Sequence, residues 1–205
     1  MLPNSELAKV LAKVPNDGIA GWYYRAVSNS ALYRNDPPNA LYALGPGRGG
    51  QRYTQVGGPP ALYVADQPYT AFAEGTHSIT SSLAGLIEPP DPQVVFAIYV
   101  KLERMLDLTD DTILKALDTD RAELQGPWAD QVLTGIRVPT HDIAAVAYAS
   151  HRFQGIRFDS KENPGGKNLI IWTNKVRTPS YVEVYDSSKK LAARIPKAKP
   201  TTVLI

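Results

Sequence analysis

The sequence contains no cysteine, only three histidines and two methionines, and no apolar run longer than seven residues. Without cysteine there is no disulfide scaffold, thiolate metal site or cysteine nucleophile. The histidines, His77, His141 and His151, are far apart and form no H-x-x-x-H or similar helical pair. A structural metal site is therefore not expected, and helix-end or surface positions are the plain reading of all three. The seven-residue run Val94–Val100 is far short of the roughly 20 apolar residues a membrane helix needs. The opening MLPNSELAKVLAKVPND has neither the apolar h-region nor the small-residue cleavage site of a secretory signal. A soluble, cytoplasmic protein is the expectation.

What is present fits one folded domain with extensions: 205 residues, 43% apolar and 20% charged. The net charge of +2 is an average over two unlike parts. Lys189, Lys190, Arg194, Lys197 and Lys199 all follow the last acidic residue, Asp186, and setting those five aside leaves 17 basic residues against 20 acidic ones. The body is thus slightly acidic, and it offers no basic stripe for nucleic acid. The plain reading of the basic tail is a solvated C-terminus.

Apolar periodicity predicts a helix over 6–14, capped by Ser5 and ended by Pro15 and Gly18. A strand around Trp22–Val27 follows, with Arg25 inside it. From Asn35 to Pro60 the chain is rich in Gly, Pro and Asn, and a segment that long suggests a binding loop rather than a connection. Ala61–Ala65 reads as a buried strand, Tyr69–His77 as a helix, and 94–102 as the strongest strand, after a break at Pro89, Pro90 and Pro92. A helix near 110–117, another over 140–152 capped by Thr140 or Asp142, and strands at 155–159, 168–173 and 181–185 complete the pattern. Strands do not alternate regularly with long helices, so α+β is favoured over a doubly wound sheet.

GPGRGG, Gly45–Gly50, matches G-x-G-x-x-G literally. A dinucleotide fingerprint must leave a strand and open a helix, whereas here QRYTQVGGPP follows. It fails as a P-loop as well, because Gln51-Arg52 stands where Lys-Ser/Thr is required. No G-x-S-x-G elbow exists.

Four polar residues remain where a plain core would not call for them: Arg25 in an aromatic strand, Arg52 after the Gly pair, Tyr63 in ALYVA and Glu74 in YTAFAEG. Arg25 and Glu74 as a buried ion pair, and Tyr63 as plain core, are the structural alternatives. Taken together, two guanidiniums suit a diphosphate, a tyrosine suits a flat ring, and a carboxylate suits positive charge developing on a ribose. That set fits a nucleotide carrying a labile N-glycosidic bond.

The stretch YYRAV…GGQRYTQVGGPPALYVADQPYTAFAE resembles the RES domain, a family named for its Arg, Glu and Ser. LDLTD (106–110) and GIRFDSKENPGGKNLIIW (155–172) resemble two further segments of that family. Arg25 and Arg52 take the arginine positions, Tyr63 the tyrosine, Glu74 the glutamate and Ser160 the serine. For Ser160 a plain turn serine before Asn163-Pro164-Gly165-Gly166 is the local alternative. The sequence departs from the pattern where Gln51 separates the Gly pair from Arg52 and where Thr54 replaces an asparagine.

The resemblance implies an α+β fold like that of ADP-ribosyltransferases, a split antiparallel sheet with flanking helices and NAD between its halves. It divides the chain into an N-terminal helical extension (1–20), a RES domain (21–176) and a C-terminal strand with basic tail (177–205). It implies a toxin of a toxin–antitoxin pair that consumes NAD as substrate, by hydrolysis or phosphorolysis, with no metal. The partner it implies is a helix-turn-helix antitoxin covering the site; a homodimer is compatible with it, a membrane or direct nucleic-acid role is not. Glu74, Arg25 and Ser160 are the expected catalytic residues, and Arg25, Arg52, Tyr63 and Ser160 the expected NAD-binding residues. A protein ADP-ribosyltransferase using the same NAD site is the alternative, and a non-catalytic nucleotide-binding interaction module is the second.

Overall fold

The computed structural model describes residues 1–34, 38–80 and 91–197, except for the side chains of residues 77–80. The expected break at Pro89 and Pro90, the His77 side chain and Lys199 lie outside the described residues. In chain order the elements are α1 (Asn4–Leu11), β1 (Ile19–Ser28), α2 (Asn29–Leu32), α3 (Gly45–Gly49), β2 (Ala61–Ala65) and α4 (Pro68–Thr80). Next come β3 (Gln93–Leu102), β4 (Met105–Asp107), α5 (Asp111–Ala116), α6 (Arg121–Leu124) and α7 (Trp128–Leu133). α8 (Pro139–Ala149), β5 (Gly155–Asp159), β6 (Lys167–Trp172), β7 (Tyr181–Val184) and β8 (Arg194–Ile195) complete the described chain.

Among the described residues the eight strands join in the order β4-β5-β6-β2-β1-β3-β7-β8, antiparallel except for the parallel pair β4–β5. The sheet is strong within each half and thin between them. β1 and β3 share ten register pairs, from Ile19↔Leu102 to Ser28↔Gln93, whereas β1 and β2 share only Tyr24↔Ala65. That single pair is the split of the expected fold.

Two cores follow from the period-2 alternation of the strands. One lies between the β4–β5–β6–β2 half and the helices, joining Ala61, Ile156, Phe158, Ile170 and Trp172 to Leu7 and Leu11 of α1 and Ile143 and Ala147 of α8. Small alanines on α8 let α1 approach it. The other core takes the alternate residues of both halves: Leu62, Val64, Leu169 and Ile171 meet Ile98, Val100 and Val182. Burying one such Leu, Ile or Val stabilises the fold by about 1.5–3 kcal/mol.

Several local readings are corrected. Ser5 does not cap α1; the helix begins at Asn4 after Pro3, whose fixed φ sets its first turn without a side-chain cap. α8 likewise starts on Pro139, and Thr140 donates its buried hydroxyl to the Arg52 carbonyl instead of capping. Asp142 is bound to Arg137 at 2.5 Å. Leu106 and Asp107 belong to β4, where Met105–Asp107 pairs with Gly155–Arg157, and α6 and α7 lie on either side of Gly126 and Pro127. α6 is capped by Asp120, which accepts the Glu123 amide at 2.8 Å. The Gly run 45–49 is itself a five-residue helix with no strand before it.

Candidate active site

Glu74 sits on α4, which packs against β1, β2 and β3. One oxygen, Oε1, accepts two hydrogen bonds: from Ser160 Oγ at 2.6 Å and from Asn168 Nδ2 at 2.7 Å. Ser160 follows the end of β5 and is 3% exposed, while Asn168 is a polar interruption in the apolar strand β6. The Ser160 hydroxyl also accepts the Asn163 amide at 3.0 Å. Its own proton is therefore directed at Glu74, and Oε2 has no partner among the described residues.

The turn between β5 and β6 is built to hold that geometry. The Ser160 amide donates to the Gly166 carbonyl and the Gly166 amide to the Asn163 carbonyl, each at 2.9 Å. The Asn163 side chain donates to Thr70 Oγ1 at 2.8 Å, which ties the turn to the first turn of α4. A Cβ at Gly166 would lie 2.6 Å from Thr70 Oγ1, so this glycine is a matter of space and not of backbone freedom.

Tyr63 shares the face of Asn168. Its strand neighbour two residues on, Ala65, is the register partner of Asn168, which puts Tyr63 roughly 7 Å along the strand from that pair. The phenol oxygen shares a 2.9 Å bond with Thr54 Oγ1 and accepts the Tyr53 amide at 3.2 Å. Burial pushes its pKa well above the usual phenol range, so it is a neutral hydrogen-bonding group. Thr54 is thereby built into the site's frame.

Arg52 stands in the same short loop, where Gln51 and Thr54 exchange backbone hydrogen bonds at 2.7 and 3.0 Å. Its guanidinium donates to the carbonyls of Leu124 at 3.0 Å and Gly126 at 3.4 Å. Close by, Gln125 Nε2 reaches the Ser160 carbonyl at 3.5 Å. A cavity of about 10 Å³ separates Arg52 from Phe158 and Asp159, room for no more than about one water. A wider, open concavity of about 490 Å³ adjoins it at Arg121, lined by Asp111, Asp118, Asp120 and Glu123 together with Lys115, Arg121 and the Met1 ammonium.

Arg25 is on the other face of the sheet. Along β1, Ala26 faces α4, since a Cβ on Gly75 of that helix would lie 3.0 Å from the Ala26 Cβ. Arg25 alternates to the opposite side, with Tyr23 and Val27, over the core shared by both halves. Its Nη1 and Nη2 donate to the carbonyls of Ala40 and Tyr42 at 2.7 and 2.8 Å. Burial lowers its pKa to about 10, so the charge is retained at neutral pH.

The structure thus brings together Glu74 and Ser160, and separately Arg52 and Tyr63 through the 51–54 loop. It does not bring Arg25 to Glu74, and the two form no ion pair among the described residues. Asn168, Asn163 and Thr70 carried no role in the sequence reading. The one signal that could have marked Asn168 is its place in G-G-x-N-L, an amide where a buried strand asks for an apolar residue. Among the described residues no group of three His, Asp or Glu side chains converges as metal ligands, and no helix is long and apolar enough to cross a membrane.

Comparison with known proteins bears on this geometry. The family model described as the RES domain matches residues 23–193. The chain is similar to one in the crystal structure of the M. tuberculosis MbcT–MbcA toxin–antitoxin complex. The identity is 17%, 88% of this chain and 90% of the other are covered, and the TM-score is 0.66. At that identity the likeness is one of fold, and it agrees with the α+β split sheet. No curated protein sequence matches.

Proposed function

Since the chain belongs to the RES domain family, we propose that it is the toxin of a toxin–antitoxin pair and that it depletes NAD by cleaving the bond between nicotinamide and its ribose. The observation that carries this reading is the Glu74 carboxylate, fixed through one oxygen by Ser160 and Asn168 while the other is left for a substrate hydroxyl.

In the proposed reaction the C1′–N bond breaks and its electron pair neutralises the pyridinium ring, so nicotinamide leaves without a general acid. The ribose passes through an oxocarbenium-like state, as in glycoside cleavage generally. Glu74 holds a ribose hydroxyl and offsets positive charge at C1′, and the fixed orientation of its carboxylate means no reorganisation at the moment of reaction. An acceptor oxygen then bonds to C1′: water does so with loss of its proton to solvent, and phosphate does so through an anionic oxygen with no proton to lose. Ser160 acts first by setting the Glu74 carboxylate, and Tyr63 walls the ring pocket.

Arg25 and Arg52 are the diphosphate donors in this reading. Each guanidinium carries five N–H donors, and the carbonyl contacts engage only part of that set. Arg25 follows Tyr24, the one β1 residue paired with β2, while Ala65 on the other side of that pair is the register partner of Asn168. Arg25 and the carboxylate therefore border the same split from opposite faces. An antitoxin that covers the split would block the substrate and hold the toxin silent.

The test is product analysis of purified protein incubated with NAD, with and without phosphate. Free ADP-ribose or its 1″-phosphate, together with nicotinamide, is the expected result. Label transferred to a protein would move the reading to ADP-ribosyltransfer on the same site. Absence of nicotinamide under both conditions overturns the enzymatic reading.

A further inference from the structure

The two halves of the sheet are dressed differently on the side where α4 lies. Beyond α4, on the flank away from Glu74, the β1–β3–β7–β8 face carries a chain of touching rings. Tyr185 meets Trp22 at 5.7 Å between centroids, Trp22 meets Tyr99 at 5.2 Å, and Tyr99 stacks on Tyr181 at 5.9 Å. The Arg194 guanidinium closes the row, 4.0 Å over the Tyr181 ring. Trp22 is 51% exposed and Tyr185 64%, so this row faces solvent. Aromatic rings of this kind, apolar in body and polar at the tip, are the side chains that anchor protein interfaces.

Basic side chains outnumber acidic ones around the row. Among the residues of these four strands the only acidic side chain is Glu183, and Arg194 holds it at 2.6 Å. Asp186 is engaged by the amides of Ser188 and Leu191 in the following turn. Lys101, which pairs with Tyr181 across the strands, and Lys189, Lys190 and Lys197 are exposed. Asp186 keeps its charge, and Glu103 beyond Lys101 is exposed, but Lys101, Lys189, Lys190 and Lys197 leave the balance at the rim basic.

The contacts within the row are mostly between the rings themselves. Here Trp22 makes edge-on contacts with both Tyr99 and Tyr185, one face of Tyr181 is stacked on Tyr99, and Arg194 lies over that same Tyr181 ring. The rings touch one another in a continuous row and form an exposed apolar ridge with a mainly basic rim.

We propose that this ridge is a docking surface for an acidic segment of a partner protein whose apolar side chains pack on Trp22 and Tyr185 and whose carboxylates face Lys101, Lys189 and Lys190. It is separate from the Glu74 site and rests on none of its chemistry.

The test uses the full chain and two fluorescein-labelled probes: a 16-residue synthetic peptide alternating Glu or Asp with Leu or Phe, and oligo(dT) of 16 nucleotides. Fluorescence anisotropy should show saturable binding of the peptide that weakens as salt is raised from 50 to 500 mM. Trp22→Ser and, as a second variant at the more exposed end, Tyr185→Ser should each weaken it about tenfold. Lys189→Glu with Lys190→Glu should weaken it about fivefold through lost charge complementarity. NAD turnover of all three variants should match that of the parent chain. No peptide binding, binding indifferent to these substitutions, or tighter binding of oligo(dT) than of the peptide would overturn the proposal.

Discussion

Glu74 and Arg25 are both part-buried side chains held by hydrogen bonds, and the fold satisfies them in opposite ways. The carboxylate is met by side chains, Ser160 and Asn168, which arrive from two different stretches and converge on one of its oxygens. The guanidinium is met by main-chain carbonyls, Ala40 and Tyr42, from a single irregular segment. Side chains that point at a carboxylate fix its direction and leave the fold nearly indifferent to its identity. A cation that collects carbonyls holds a piece of chain in place, because removing it leaves those acceptors without a donor. The first arrangement suits chemistry, and the second joins binding to architecture.

Substitutions break this comparison in a graded way. Glu74→Gln keeps the size and one acceptor oxygen, so turnover should fall about 10³-fold while the thermal midpoint stays nearly constant. Undiminished turnover by folded Glu74→Gln protein would sink the catalytic assignment. Arg25→Ala should lose both properties at once, with unfolding free energy down by about 3 kcal/mol in denaturant titration alongside lost NAD cleavage. An unchanged unfolding midpoint would show that the Ala40 and Tyr42 contacts anchor nothing.

Asn168→Asp sharpens the comparison through pH. It places a second carboxyl within hydrogen-bonding reach of Glu74, and two neighbouring carboxylates resist joint ionisation. The acid limb of the pH–rate profile should therefore move to higher pH, whereas Asn168→Ala should lower turnover about tenfold with that limb in place. Ser160→Ala removes a donor from Glu74 and an acceptor from the Asn163 amide. It should cost about 1–2 kcal/mol of stability and several-fold in turnover. Tyr63→Phe should be the mildest, about 1 kcal/mol, read as a small shift in the denaturation midpoint.

Much of the fold was legible because its strongest elements are driven by local apolar pattern. Ala61–Ala65 and 155–159 were bounded correctly, and the strand at 93–102 was placed within a residue. β4 and β8, three and two residues long, were not legible, since such short strands exist only where a partner supplies the ladder. The prolines at positions 3 and 139 took over helix starts that polar residues nearby suggested.

In the site, the nearness of Ser160 to Glu74 is 86 residues apart in sequence, and only the succession of motifs connected them. Alternation along β1 separates Arg25 from Tyr24, but which of those faces receives α4 depends on how that helix crosses the sheet. That is a tertiary choice, and no local spacing reveals it. Asn168 escaped for a related reason: its amide earns its place only through a carboxylate delivered from another element.

The lone pair Tyr24↔Ala65 has a consequence for how this protein tolerates change. Past that rung, Arg25–Ser28 have no register partner in β2, so that edge of β1 presents main-chain amides and carbonyls to the gap. Such groups are carried by every residue type except for the proline amide. A molecule that leans on them is recognised by the path of the chain and not by its alphabet. Recognition of that kind survives substitution only while the path holds, and the path here is held by the side chains of Arg25, Ala26 and Val27, which hydrogen-bond or pack on their own side of the gap.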